Sequence, residues 1–472
     1  FNPSAPWTKN MTNEKAAEVT IDQQVQDFEQ YWSTRNKYAR GSGYKPFKRW
    51  EYHWRNYENA QGYVMSSEEL WNAWREKNQV KANRNVTLAL PASNWQPVGP
   101  FSHTNTGSWS SGQGRVNIVH VDPTNSNIIY LGSPAGGIWK SVNNGSTWTP
   151  LTDNLPQIGV SGIAIDYSNS NVIYIATGDK DAGDSYSVGV YKSTDGGLTW
   201  NPTGIMGGSN PSRAGDIIIH PTNNQILWCA TNDGIFKTSN AGASWTQVLA
   251  GNFSQGNIRL KANEPSTVFA VSKNRFYRSE NTGDSFTMVT TGLPTTSNRL
   301  LLDVTPANAN YLYILSANSS GGMQGIYRST DGGTIWSKTS SNESTATGNV
   351  FESTQSYYDL ALAVSSINEN EIYTGCVNVW KSTDGGTSVS KINSWSNPTG
   401  ASYTHADIHY LGFHGTKLFA GTDGGIYVSS NNGTNFSDLT AGAQISQFYK
   451  IAVSKQSASN MVGGLQDNGG HA

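Results

Sequence analysis

From about residue 118 onward the chain repeats one hydrophobic rhythm. Short apolar runs such as Ile118–Val121, Ile163–Ile165 and Ile217–Ile219 are each followed, after a polar turn, by a second run such as Val172–Ala176, Ile226–Ala230 or Leu418–Gly421. Apolar runs of this length, bounded by Asn, Asp, Ser, Gly and Pro, signal β-strands, and Asp122-Pro-Thr-Asn-Ser-Asn127 is typical of the turns between them. Beyond the second run stands a fixed motif, Ser/Thr-x-Asp/Asn-x-Gly-x-x-aromatic. It occurs at Ser141–Trp148, Ser193–Trp200, Thr238–Trp245, Ser279–Phe286, Ser329–Trp336, Ser382–Val389 and Ser429–Phe436, with Val389 alone breaking the aromatic position. The closing residues are 52, 45, 41, 50, 53 and 47 apart. That period fits a four-stranded propeller blade, with strands A, B, C and D and the motif as the C–D turn. In such a turn Asp or Asn caps amides, Gly takes the positive φ, and the aromatic packs between blades.

The pattern predicts an all-β propeller of seven blades plus a partial eighth. The eighth unit starts with Tyr449–Val453 and Met461–Leu465 and stops before any motif, while Trp95–Val98 reads as an orphan D strand. Either the two ends complete one blade, removing exposed sheet edges, or the sequence is a piece of a longer protein. The break inside a blade favours the second reading.

Residues 1–94 differ in kind and read as a helical N-terminal segment ahead of a propeller over 95–472. They hold six of the 16 tryptophans, and Val25, Phe28, Tyr31 and Trp32 share a helical face. Ser66 and Glu69 form the pattern of a capping box opening a helix through Leu70, Trp71 and Trp74. Between them Gly43–Glu51 is dense in aromatic and basic groups. It can grip a sugar or an anion, or simply pack its aromatics against the propeller.

Composition narrows the partners. With 32 basic and 34 acidic groups the net charge is −2, which gives no reason to expect nucleic acid or an anionic membrane. No apolar run is long enough to span a bilayer. The two cysteines, Cys229 and Cys376, fall in equivalent strands of non-adjacent repeats, so two buried free thiols are expected. The chain begins at Phe1 without Met or signal peptide, as a processed product does, and its thiol-poor, Ser/Thr/Asn/Gly-rich composition fits an exported bacterial protein.

Ser193-Thr-Asp-Gly-Gly-Leu-Thr-Trp200 and Ser329-Thr-Asp-Gly-Gly333 resemble BNR/Asp-box repeats, found in sialidases, sortilin-type receptors and xyloglucan-degrading hydrolases. Tyr44-Lys-Pro-Phe-Lys-Arg-Trp50, Gly136-Gly-Ile-Trp-Lys-Ser141, Thr177-Gly-Asp-Lys-Asp181, His405-Ala-Asp-Ile-His409 and Gly464-Leu-Gln-Asp-Asn-Gly469 resemble a family of sortilin-like proteins exported by the type IX machinery of gliding bacteria. That resemblance implies an extracellular or cell-surface location. A sialidase carries an early Arg-Ile-Pro where this chain has Gly114-Arg115-Val-Asn117, so that activity is rejected. By resemblance to the xyloglucan hydrolases, a catalytic Asp stands just before Gly-Gly-Ala-Tyr. Here Pro134 replaces it ahead of Gly136-Gly137-Ile138-Trp139.

Candidate chemistry therefore lies at the rim where A strands start and B strands end, opposite the repeat turns. That rim receives Asp179, Asp181, Asp184, Asp233, Asp423 and Asp467, the last three as ligand-binding candidates. His405, Asp407 and His409 open the seventh A strand. If they follow i, i+2, i+4 alternation they share a face, and either hold a metal such as zinc or tie blade seven to its neighbour by hydrogen bonds. Asp179, Asp181 and Asp184 form an oxygen-rich loop that suits calcium but lacks the EF-hand pattern. The sequence favours a secreted or surface-displayed module that binds or adheres to glycan or protein ligands. Its alternatives are a glycoside hydrolase that needs chain beyond residue 472, or a structural module of a larger type IX-secreted protein.

Overall fold

The structure, a computed structural model, describes residues 7, 19–39, 42–83, 97–105, 112–183, 185–204, 213–340 and 351–471. They fall into two compact units, one within Phe1–Ala89 and one within Leu90–Met206 and Ser212–Ala472.

The first unit holds helices α1 (Ile21–Trp32), α2 (Tyr44–Trp54) and α3 (Ser67–Asn83). The Thr20 hydroxyl caps α1 by accepting from Gln23 N at 3.2 Å. At α3 the capping box is reciprocal: Ser66 N donates to Glu69 Oε2 at 2.7 Å and Glu69 N donates to Ser66 Oγ at 3.2 Å. The aromatic, basic segment over 43–51 is mostly helix α2. Phe47 stacks on Phe28 at 3.7 Å, Trp7 meets Phe28 edge-on at 4.9 Å, and Lys48 pairs with Glu29 and Glu51. Its aromatic groups thus serve the unit's own core.

In the second unit, among the described residues, seven four-stranded antiparallel sheets follow one another in the order A-B-C-D. Blade one is β1 (Ile118–Val121), β2 (Ile129–Ser133), β3 (Gly137–Ser141) and β4 (Thr149–Pro150), and blade seven is β25 (Ile408–His414), β26 (Lys417–Thr422), β27 (Ile426–Ser429) and β28 (Ser437–Asp438). Strand B is buried on both faces in most blades, as in Ile173–Thr177 and Leu227–Thr231. The core lies between consecutive blades: Ala164 and Tyr174 pack with Ile217 and Leu227, and Tyr313 and Leu315 with Leu362 and Ile372.

The ring closes at seven. Val119, Leu131 and Trp148 of blade one share a buried cluster with Phe419 and Ile426 of blade seven. Trp148 Nε1 donates to Leu439 O at 2.8 Å across that seam, as Trp200 donates to Leu151 O at 2.9 Å between blades one and two. The eighth unit therefore does not enter the ring. It forms a three-stranded sheet, β29 (Phe448–Val453), β30 (Met461–Leu465) and β31 (Gly470–His471), and its first strand is exposed along its whole length. Pro97 and Val98 form no strand, and Trp95 lies outside the described residues. Of the two readings of the eighth unit, joining of the chain's ends into one blade is not what the described residues form, since blades one and seven already pack on each other.

The repeat turn has one hydrogen-bond scheme. In blade two the Ser193 hydroxyl donates to Asp195 Oδ1 at 2.8 Å and accepts from Gly197 N at 2.8 Å, while Asp195 Oδ1 accepts from Thr199 N at 2.9 Å. Gly196 and Gly197 take positive φ, 75° and 97°. Cys229 and Cys376 are buried free thiols, as expected. No helix among the described residues is long and apolar enough to cross a membrane.

Candidate functional site

The inner A strands start, and the B strands end, around one mouth of the axial channel. There the ring gathers charged side chains from distant repeats. His409, on β25, is buried between two carboxylates: Nδ1 faces Asp181 Oδ2 at 2.9 Å and Nε2 faces Asp423 Oδ1 at 3.0 Å. Carboxylate oxygens only accept, so both ring nitrogens carry protons and the ring is an imidazolium. Burial works against that charge, but Asp423 and Asp181 outweigh it and push the pKa up to about 9. Asp181 is also bound by Arg299 Nη2 at 2.6 Å. Burial would raise its pKa, yet Arg299 and His409 hold it well below the usual carboxylate range. Asp423 takes two hydrogen bonds from the Tyr358 hydroxyl, at 2.7 and 2.9 Å, and is likewise held low against burial by His409 and Arg115. The Tyr358 ring meets the His409 imidazole edge-on at 4.8 Å. Arg115 Nη2 binds Asp179 Oδ2 at 2.7 Å, and Asn117 donates to its other oxygen at 3.2 Å.

Beside this ionised core stand carboxyls of the opposite kind. Burial and the charges of Asp359 and Asp423 raise the pKa of Asp407, and burial raises that of Asp359. Gln355 Nε2 bridges them, donating to Asp407 Oδ1 at 2.7 Å and Asp359 Oδ2 at 3.0 Å. Asp359 Oδ1 accepts from the Cys376 thiol at 3.2 Å. Asp467, exposed on the eighth unit, is raised by partial burial and by Asp423. Asp407 and Asp467 both have left-handed backbones, φ 63° and 52°, rare for residues other than Gly, Asn and Asp.

These placements bear on the expected metal ligands. Asp407 turns left-handed one residue before β25 begins, so the i, i+2, i+4 alternation fails. His405 is buried against Gly424 and its Nδ1 meets Ala406 O at 3.2 Å, while both nitrogens of His409 are taken by carboxylates. Of the three, His409 does act as a hydrogen-bonded tie, joining blade seven to blade two. Asp179 and Asp181 are engaged by arginine, asparagine and histidine; Asp184, the third residue of the expected calcium loop, lies outside the described residues. Among the described residues no group of three His, Cys, Asp or Glu is disposed to hold a metal ion. Asp233 accepts from Asn232 at 3.0 Å in its own turn. Sequence reasoning missed Arg115, Arg299, Tyr358, Asp359 and Gln355. One signal was available: Asp359 precedes the sixth A strand as Asp407 precedes the seventh.

Against this geometry the likeness to known proteins can be weighed. No model of a known protein family matches the chain. A xyloglucanase of Acetivibrio thermocellus is 28% identical over 231 residues, 46% of this chain and 25% of its own length. A Paenibacillus xyloglucanase is 25% identical over 254 residues, 51% of this chain and 22% of its own. In structure, the GH74 xyloglucanase of Xanthomonas campestris matches 78% of this chain and 60% of its own with a TM-score of 0.59 and 17% identity. The fold is that of the GH74 propellers. The GH74 enzyme of Niastella koreensis, with a TM-score of 0.56 and 18% identity, has the same fold over the same shares. The chain's matched stretches span about a quarter of the curated relatives.

Proposed function

We propose that this chain is a glycoside hydrolase-like propeller that works outside the cell on a xyloglucan-type β-glucan laid across the rim. The observation that carries the reading is the split in carboxyl character. Asp407 is pushed toward its neutral, proton-donating form a few residues from an ionised network that holds it in place. Environments that drive neighbouring carboxyls apart in pKa are the usual setting for acid and base roles. Asp407 is then the general acid for the glycosidic oxygen. Glycoside hydrolysis ordinarily needs two carboxyl groups; Asp467 is the exposed one at the rim, and with its pKa raised by partial burial and by Asp423 it activates water only above the pH at which it ionises. The likeness to xyloglucanases supports the substrate class.

A second reading, binding or adhesion without turnover, is supported by Pro134, which occupies the position where the resembled hydrolases carry a carboxylate; its carbonyl accepts from Ser185 Oγ at 2.6 Å. The sortilin-like resemblance adds export through type IX machinery to either reading.

The test is release of reducing ends from xyloglucan. Turnover is expected to fall on the alkaline side as Asp407 ionises. The Asp407→Asn variant should lose roughly 100-fold or more, the usual contribution of a general acid, while retaining affinity. Binding without turnover by the wild type would establish the adhesion reading instead, and absence of both would remove the glycan from the account.

A further inference from the structure

Below the rim network the channel narrows to a chamber of about 50 Å³, with Lys180, Arg259, Arg299, Asn257 and His409 on its wall. Next to it lies a cavity of about 650 Å³ with mixed walls, where Ile118, Ile163 and Ile217 stand beside Asp216, Arg259 and Asp303. The chamber's polar lining is unusual in its donors. Lys180 follows the second B strand; among the described residues its ammonium makes no close ion pair, though Asp181 and Asp216 act on it from farther off. Arg299 is 2% exposed; two of its nitrogens are engaged, by Asp181 and by the carbonyls of Ser356 and Tyr358, but Nε has no acceptor. Arg259 donates to Asp216 at 3.1 Å, to Ile258 O at 2.8 Å and to Asp303 at 3.0 Å, all through Nη1 and Nε. Asp216, the one carboxylate on the wall, is thereby already matched.

We propose that this chamber binds one small monovalent anion of chloride size. Buried donors left without acceptors call for a partner, and here the donors belong to cations. A water molecule satisfies one or two of them, whereas an anion answers several at once and suits a wall where Lys180, Arg259, Arg299 and His409 face the single carboxylate of Asp216. A volume of about 50 Å³ suits a small anion rather than a bulky one. Burial presses Lys180 toward its neutral form; Asp181 and Asp216 oppose this and Arg299 and Arg259 add to it, and an anion in the chamber acts in the sense of the carboxylates.

Two measurements test this. Crystals of the wild type in sodium bromide should show an anomalous peak in the chamber within hydrogen-bond reach of Lys180 Nζ; a fully occupied chamber of water, with bromide absent, overturns the proposal. In solution, replacing gluconate by chloride at constant ionic strength should raise the melting temperature in a saturable way, since only the folded state holds the site. The Lys180→Met variant should lose that rise while remaining at least as stable as the wild type in gluconate. Equal melting temperatures of the wild type in the two salts, or an undiminished rise in Lys180→Met, refute the site. If the variant fails to fold, the bromide map decides alone.

Discussion

The imidazole of His409 is charged because Asp181 and Asp423 leave it no other state, and this charge has a measurable consequence. Its folded pKa of about 9 lies above the unfolded value of about 6.5, so its contribution to stability is complete below about pH 6.5 and is lost as pH rises through 9. The raised carboxyls Asp407 and Asp359 act in the same sense, since they ionise more readily in the unfolded chain. Asp181 and Asp423 are depressed, so theirs is present above about pH 4 and is lost on further acidification. Urea unfolding across pH should show stability declining from near neutral toward pH 9, with a shallower decline in His409→Gln. Stability that climbs over that range would contradict the imidazolium. Residue-level chemistry was only partly legible in the sequence. The strand alternation that grouped His405, Asp407 and His409 is broken by the left-handed Asp407, and the partners of Asp181 lie 118 and 228 positions away.

Elements were far more legible, because each repeat states its own strands and turn. The period gave seven blades, and Ser66 with Glu69 marked the start of α3. What periodicity alone did not provide was how a repeat relates to the ring. Phe448–Val453 reads like any other A strand, yet it lies outside, since blades seven and one already share a core. The repeat turn's aromatic is where an element meets its neighbour. Trp200 is 5% exposed and donates across to blade one. Trp200→Ala should therefore cost about 3–5 kcal/mol, the usual range for deleting a large buried aromatic, as read by denaturant unfolding. A loss within about 0.5 kcal/mol, typical of surface positions, would mean that the turn aromatics do not hold blades together.

For the molecule as a whole, closure of the ring is what makes the site. Arg115 comes from blade one, Asp181 from blade two, Arg299 from blade five, Tyr358 and Asp359 from blade six, and His409 from blade seven, so no fragment of the propeller contains the network. The same convergence makes Asp407 reluctant to ionise, with burial first and then Asp359, Asp423 and Asp467 raising its pKa. That protonation state is the claim on which the hydrolase reading stands. The direct measurement is a carbon-13 NMR titration of the aspartate side-chain carboxyls, with the Asp407 resonance assigned by its loss in Asp407→Asn. The account predicts that this carboxyl titrates well above the ordinary aspartate value of about 3.9. Titration at or below that value would mean that the rim holds no proton donor, and would contradict it.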